Sequence, residues 1–246
     1  MQRIAFSMKT QESKMDVIAN NIANANTRAY KKEALTTRSF GEYMLNAIEN
    51  NKKSPAQIPV GAISLGVGFA AHRSVFTQGD LQETGYSTDF AINGDGFFVL
   101  ETPDGLQYTR AGNFTFDDEG YLVSQGTGLR GYVLSEDGRI QSLDRNIQID
   151  KNGFISGGGR LRIQHFNDLG LLTKEAGGNY TNTDPQNISQ QGSYTIMQRY
   201  LEASNVNVID ETRDMLVVKR NYESCQQIIR MMDDTLGKAA NDISRL

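Results

Sequence analysis

The sequence predicts an α+β protein in which N- and C-terminal heptad helices pair as a coiled-coil domain and a central antiparallel all-β domain, barrel-like in form, lies between them. Two observations carry this. Of 24 glycines in 246 residues, 22 lie between Gly61 and Gly192, and glycine permits tight turns while weakening helix interiors. The two ends instead carry apolar residues at alternating steps of three and four, the pattern of helices that pack along a seam. The division is 1–60 for the N-terminal helix and a linker, 61–192 for the β domain, and 193–246 for the C-terminal helix.

The N-terminal seam is Ile4, Met8, Gln11, Met15, Ile18, Ile22 and Ala25, with one polar position, Gln11. Ser39-Phe40-Gly41-Glu42 then has the form of a capping box, and Phe40, Tyr43, Met44, Ala47 and Ile48 fall on one face of a second, shorter helix. Residues 50–59 read as a linker.

From Ala62 onward the pattern changes to short β-prone runs. They are Phe97-Phe98-Val99-Leu100, Gln107-Tyr108-Thr109-Arg110, Asn113-Phe114-Thr115-Phe116, Tyr121-Leu122-Val123, Tyr132-Val133-Leu134, Ile147-Gln148-Ile149 and Leu161 to Phe166. Asp104-Gly105, Glu119-Gly120, Asp137-Gly138 and Asn152-Gly153 separate them, and such pairs accept the positive φ angles of hairpin turns. The connections are too short for helices, so the strands pair antiparallel.

Motifs that could carry chemistry fail on context. Gly126-Thr127-Gly128-Leu129-Arg130-Gly131 spells a dinucleotide fingerprint, but the last glycine must open a helix, and Tyr132-Val133-Leu134 follows instead. Gly66-Val67-Gly68 fails for a similar reason. The acidic run Asp117-Asp118-Glu119-Gly120 lacks calcium-loop spacing and reads as a solvated turn. Cys225 is the only cysteine, beside two histidines, His72 and His165, which argues against a disulfide framework and against zinc. No catalytic residue, cofactor or metal is predicted, and the chain is read as not an enzyme.

The C-terminal seam is Met215, Val218, Tyr222, Cys225, Ile229, Met232, Leu236, Ala239, Ile243 and Leu246, with Asn207 as the N-cap and Asp210 and Glu211 in the first turn. Cys225 sits inside this stripe and reads as a small buried hydrophobe. Gly237, beside Leu236, is where the helix is expected to bend or fray, or another helix to come close. A helix from Val208 to Leu246 would be about 58 Å long and one from Ile4 to Ala25 about 33 Å. If the two pair within one chain, nearly half of the longer seam lacks a cover, so the helices are expected to be marginal alone and firm only against other subunits. With 25 basic and 29 acidic residues the net charge is -4, which argues against nucleic acid. No apolar stretch reaches the length of a membrane span.

Three long motifs then point to one family. Met15-Asp16-Val17-Ile18-Ala19-Asn20-Asn21-Ile22-Ala23-Asn24-Ala25-Asn26-Thr27 resembles the N-terminal signature of the bacterial flagellar rod and hook axial proteins. Ala91-Ile92-Asn93-Gly94-Asp95-Gly96-Phe97-Phe98, Tyr108 to Phe114 and Gly120-Tyr121-Leu122-Val123 resemble the shared core. Leu201-Glu202-Ala203-Ser204-Asn205-Val206-Asn207-Val208 and Arg220-Asn221-Tyr222-Glu223 resemble the C-terminal signature. The family usually has Gly-Phe where this chain has Ala29-Tyr30, a difference that bears on the turn after the first helix.

At this length the chain resembles the proximal or distal rod subunits of the basal body. The resemblance implies a structural subunit that passes unfolded through the flagellar type III export apparatus without a cleaved signal. It then polymerises helically with itself and with other rod and hook subunits into a hollow shaft between motor and hook. In that shaft the terminal helices line the inner tube and the β domain lies outside, so the two seams are the expected assembly interface. Two other classes share parts of the pattern, a cytosolic coiled-coil adaptor and a cell-wall-acting enzyme with a β domain.

Overall fold

The structure, a computed structural model, describes residues 2–39, 67–125, 130–142, 147–156, 158–189 and 191–243. The chain forms two compact units. The expected helix over Phe40–Ile48, the linker at 50–59, Gly66, the Gly126–Leu129 stretch and Leu246 lie outside the described residues.

The first unit takes Met1–Ala23, Glu33–Arg73 and Asn207–Leu246, so far as these are described. Its N-terminal helix, Gln2–Ala23, has 22 residues and its C-terminal helix, Val208–Ile243, has 36. Asn207 starts the longer helix as expected. Its Oδ1 accepts from the Ile209 amide at 3.0 Å, satisfying a donor that a first turn leaves without a partner, and its carbonyl accepts the first intrahelical bond, from the Glu211 amide at 3.0 Å. Asp210 and Glu211 place negative charge at the positive end of the helix dipole. The helix continues through Gly237 to Ile243, and a Cβ built on Gly237 would meet nothing within 4 Å. The strand Glu33–Ser39 pairs with Val67–Ser74. Neither was predicted, because Leu35 is the only large apolar residue of the first and no period-two pattern marks it.

The second unit takes Asn24–Lys32 and Ser74–Val206. Its largest sheet runs, neighbour to neighbour, Leu172–Lys174, Tyr180–Asn182, Gly105–Thr109, Phe97–Thr102, Tyr132–Ser135, Leu122–Ser124 and Phe114–Phe116, with every pair antiparallel. The expected hairpin turns are present, with φ of 119° at Gly105, 82° at Gly120, 133° at Gly138 and 85° at Gly153. Arg130 and Gly131 lead into the strand Tyr132–Ser135, so no helix follows the dinucleotide-like motif.

Among the described residues the sheet path is open at both ends, so the barrel-like closure read from the sequence is not formed. The central strand Phe97–Thr102 pairs with Gly105–Thr109, with Tyr132–Ser135 and, at Phe97 and Phe98, with Ile163–Phe166. The ladders therefore branch where a barrel would have them close. That strand is also covered on both faces. Phe98 and Leu100 pack with Phe90, Ile92, Phe114, Leu122, Val133, Leu161 and Ile196, while Phe97 and Val99 pack with Tyr108, Leu134 and Tyr180. Alternate side chains point to opposite faces, so burial on both sides requires the unbroken apolar run Phe97-Phe98-Val99-Leu100.

The last strands of this unit come from the far end of the sequence. Tyr194–Gln198 pairs residue for residue with Phe90–Gly94, and Tyr200–Glu202 pairs with Leu81–Glu83. Ile196, only 3% exposed, is part of the main apolar core.

Candidate assembly interface

Within the first unit the two helices run antiparallel. Asn21 Nδ2 donates to Glu211 Oε2 at 3.0 Å, and Ser7 Oγ lies 3.7 Å from Cys225 Sγ. Fourteen residues separate the two contacts on each helix, so the register does not change between them. The same register sets Gln2 opposite residue 230 and leaves 231–243 without a described part of the N-terminal helix beside it.

The predicted seam residues fall on the less exposed side of each helix. Ile4, Met8, Gln11, Met15 and Ile22 are half-buried and Ile18 is buried. On the longer helix Val218 is buried, and Met215, Tyr222, Cys225, Ile229 and Met232 are half-buried. Leu236 is 55% exposed, as the overhang requires. Ala239 and Ile243 lie in the helix, but their side chains are outside the described residues. Ala25 is the exception: it lies beyond the helix end at Ala23 and belongs to the second unit. The turn there closes on Asn24, whose carbonyl accepts from the Thr27 amide at 3.1 Å and whose Oδ1 accepts from Thr27 Oγ1 at 3.2 Å. Such local side-chain bonds compete with helix propagation.

Asn21 was legible as part of a motif but not as a clamp. Its Oδ1 accepts from the Glu33 amide at 2.9 Å, and its Nδ2 donates to the Glu33 carbonyl at 2.9 Å as well as to Glu211. The amide side chain thus pairs with one residue of an incoming strand as a neighbouring strand would. Asn21 and Glu211 are each 1% exposed, and a polar group so deeply buried is stable only with partners of this kind.

The longer helix also exposes large apolar residues that the heptad reading did not select, on a side they share with Arg213, Arg220, Ser224 and Gln227. Ile209 is 80% exposed, Leu216 55%, Val217 52%, Ile228 41% and Met231 59%. At about 100° per residue these project well away from the Val218–Cys225–Ile229 line.

The second unit holds a buried charge cluster. Lys31 Nζ donates to Glu202 Oε1 at 2.5 Å and to the Thr77 carbonyl at 2.8 Å. The same Glu202 oxygen accepts from the Gly79 amide at 2.9 Å, and its other oxygen lies 3.7 Å from Arg110 Nη1. Burial lowers the Lys31 pKa, the Glu202 charge opposes that shift, and Arg110 adds to it. Burial also lowers Arg110, against the charges of Glu202 and Asp95. Asn205 completes the crossing: its Oδ1 accepts from the Lys32 amide at 2.7 Å, and its Nδ2 donates to the carbonyls of Val75 at 2.8 Å and Thr77 at 3.1 Å. Lys31 carried no signal in the sequence, since a lysine after a helix ordinarily reads as solvated.

A long helix with one apolar side turned to its own chain and further large apolar residues exposed is the form of a structural subunit rather than of a catalytic site. The comparisons with known proteins agree on which one. Residues 7–31 match the family described as flagella basal body rod protein, 91–157 the flagellar hook protein FlgE/F/G D1 domain, and 197–242 the flagellar basal body rod FlgEFG protein C-terminal region. The chain is 34% identical over 247 residues to the flagellar basal-body rod protein FlgF of Caulobacter vibrioides, covering 96% of this chain and 93% of that one. It is 32% identical over 256 residues to the rod protein FlgG of Bacillus subtilis, covering 95% of each. It is 28% identical over 266 residues to the hook-basal body complex protein FlhO of Bacillus subtilis, covering 98% and 96%. The chain belongs to the flagellar basal-body rod protein family and is a structural subunit of the rod in the flagellar basal body.

Proposed function

We propose that the subunit builds the rod by helical polymerisation, with its terminal helices paired as an antiparallel coiled coil that other rod and hook subunits, or further copies of this chain, surround. The interface comprises the overhanging part of the seam, from Met232 and Leu236 through Ala239, Ile243 and Leu246, together with the bare second side of the longer helix. The residues from Ile4 to Ile22 and from Met215 to Ile229 then hold the pair that is presented. The exposed apolar side from Ile209 to Met231 carries this reading. Burying one large aliphatic side chain contributes about 1.5–3 kcal/mol, so five of them are a substantial driving force once neighbours arrive. A contact of this kind that does not close on itself propagates into a filament. Passage through the flagellar type III export apparatus, implied by the family resemblance, fits helices that gain their full cover only in the shaft.

The test is a double variant, Leu216→Glu with Met231→Glu, in cells lacking the native subunit. The free protein should keep its fold by circular dichroism, while purified basal bodies lack the rod segment and cells do not swim. Intact rods assembled from this variant would reject the reading, and proline at Ile229 should stop incorporation in the same assay.

A further inference from the structure

We propose that residues 28–32 form a strap that closes onto the second unit only after Glu202 is in place, with the Lys31 charge as the device that enforces the order. The two sides of the buried pair are not equivalent. Glu202 keeps partners without the strap: its backbone pairs in the ladder with Leu81, its Oε1 accepts from the Gly79 amide at 2.9 Å, and its Oε2, which accepts no hydrogen bond among the described residues, has Arg110 Nη1 at 3.7 Å as an ion-pair partner. Lys31 has no such independence. Its side chain is 1% exposed, and among the described residues its Nζ bonds to Glu202 and the Thr77 carbonyl alone. The Arg110 charge repels it. An ammonium placed there before the carboxylate would be buried beside a like charge, which is among the most unfavourable arrangements a protein interior can hold.

Three backbone groups of the strap depend on the same stretch of chain. The Ala29 amide donates to the Glu202 carbonyl at 2.8 Å, the Lys32 amide to Asn205 Oδ1 at 2.7 Å, and the Asn205 amide to the Tyr30 carbonyl at 3.4 Å. Ala29 is held at φ 55°, a left-handed conformation that an alanine adopts only when surrounding contacts impose it. Residues 202–205, about 170 positions away, thus hold Ala29, Tyr30, Lys31 and Lys32, beside the Thr77 carbonyl on Lys31, the Val75 amide on the Lys32 carbonyl at 2.8 Å and Gln82 on Arg28 at 2.6 Å. A chain whose C-terminal strands have not yet paired therefore keeps its N-terminal crossing open, and the segment that follows the first helix docks last.

Amide hydrogen exchange on the full-length chain tests this. Glu202→Gln strands the Lys31 charge, and exchange at Ala29 and Lys32 should rise about 100-fold while the Phe97–Thr102 and Gly105–Thr109 hairpin keeps its protection. Lys31→Met leaves Glu202 with Gly79 and Arg110, and the strap should stay protected to within about tenfold of wild type. The double variant Lys31→Met with Glu202→Gln should recover that protection, because no charge is then left stranded. A double variant as open as Glu202→Gln alone would overturn the proposal, as would a Lys31→Met strap as open as that of Glu202→Gln. If Glu202→Gln unfolds the whole unit, the unfolding midpoint replaces exchange as the readout. The double variant should then lie above the Glu202→Gln single, and an equal or lower midpoint would reject the strap.

Discussion

Ala29 sits in the position where the family usually has glycine, and its φ of 55° explains the usual residue. A left-handed alanine costs about 1–2 kcal/mol, whereas glycine raises the entropy lost on folding by about 0.4–1 kcal/mol. Ala29 is also 7% exposed, so removing its methyl group forfeits some burial. The strain is the largest of these effects. Ala29→Gly should therefore stabilise the second unit by about 0.5 kcal/mol, read as a higher denaturant midpoint; a loss of 1 kcal/mol or more would mean that the strain is absent. Other residues were visible in the sequence only as letters of a motif. Asn21, Glu202 and Asn205 stood inside the family signatures, but their partners lie 12 to 190 positions away, and nothing local to the sequence indicates which backbone group a buried amide or carboxylate will meet.

The seams were readable at the level of elements because helical periodicity is a local property. Steps of three and four place Val218, Tyr222, Cys225 and Ile229 on one side whatever packs there, and the structure leaves the intervening Lys219, Arg220, Glu223 and Ser224 exposed. The register was not readable. Antiparallel pairing that sets Asn21 against Glu211 fixes where cover ends, and that contact is tertiary. Gly237 lies in the overhang, where a Cβ would meet nothing within 4 Å. Gly237→Ala should raise the helicity of the free protein and stabilise the C-terminal helix by about 1 kcal/mol. Circular dichroism against temperature reads this, and an unchanged or lower helix content would mean that the overhang is not helical in solution. If that variant still fails to assemble, the glycine serves a close approach by a neighbouring chain.

For the whole molecule, the glycine-rich middle is not a self-sufficient domain. The core around Phe90 and Ile92 is completed by Ile196, and the strand Phe90–Gly94 has Tyr194–Gln198 as its ladder partner. A fragment of residues 61–192 should stay unfolded, because removing the last strands exposes that core and takes Glu202 away from the buried Arg110. A fragment of residues 24–206 should fold. Limited proteolysis with near-ultraviolet circular dichroism distinguishes them, and a cooperatively folded 61–192 fragment would refute the argument.

What the sequence determined by itself is what depends on neighbours within a turn or a hairpin: two amphipathic helices, the Asn207 cap of the longer one, four glycine turns and the short β-prone runs between them. The family was also legible, since its three signatures are contiguous runs. Tertiary structure alone decided, among the described residues, the open, branched sheet, the antiparallel register with its overhang, the exposure of Ile209, Leu216, Val217, Ile228 and Met231, and the burial of Lys31 against Glu202. Each of these depends on which distant segment arrives at a given face. A single chain's composition and periodicity fix the faces but not their partners.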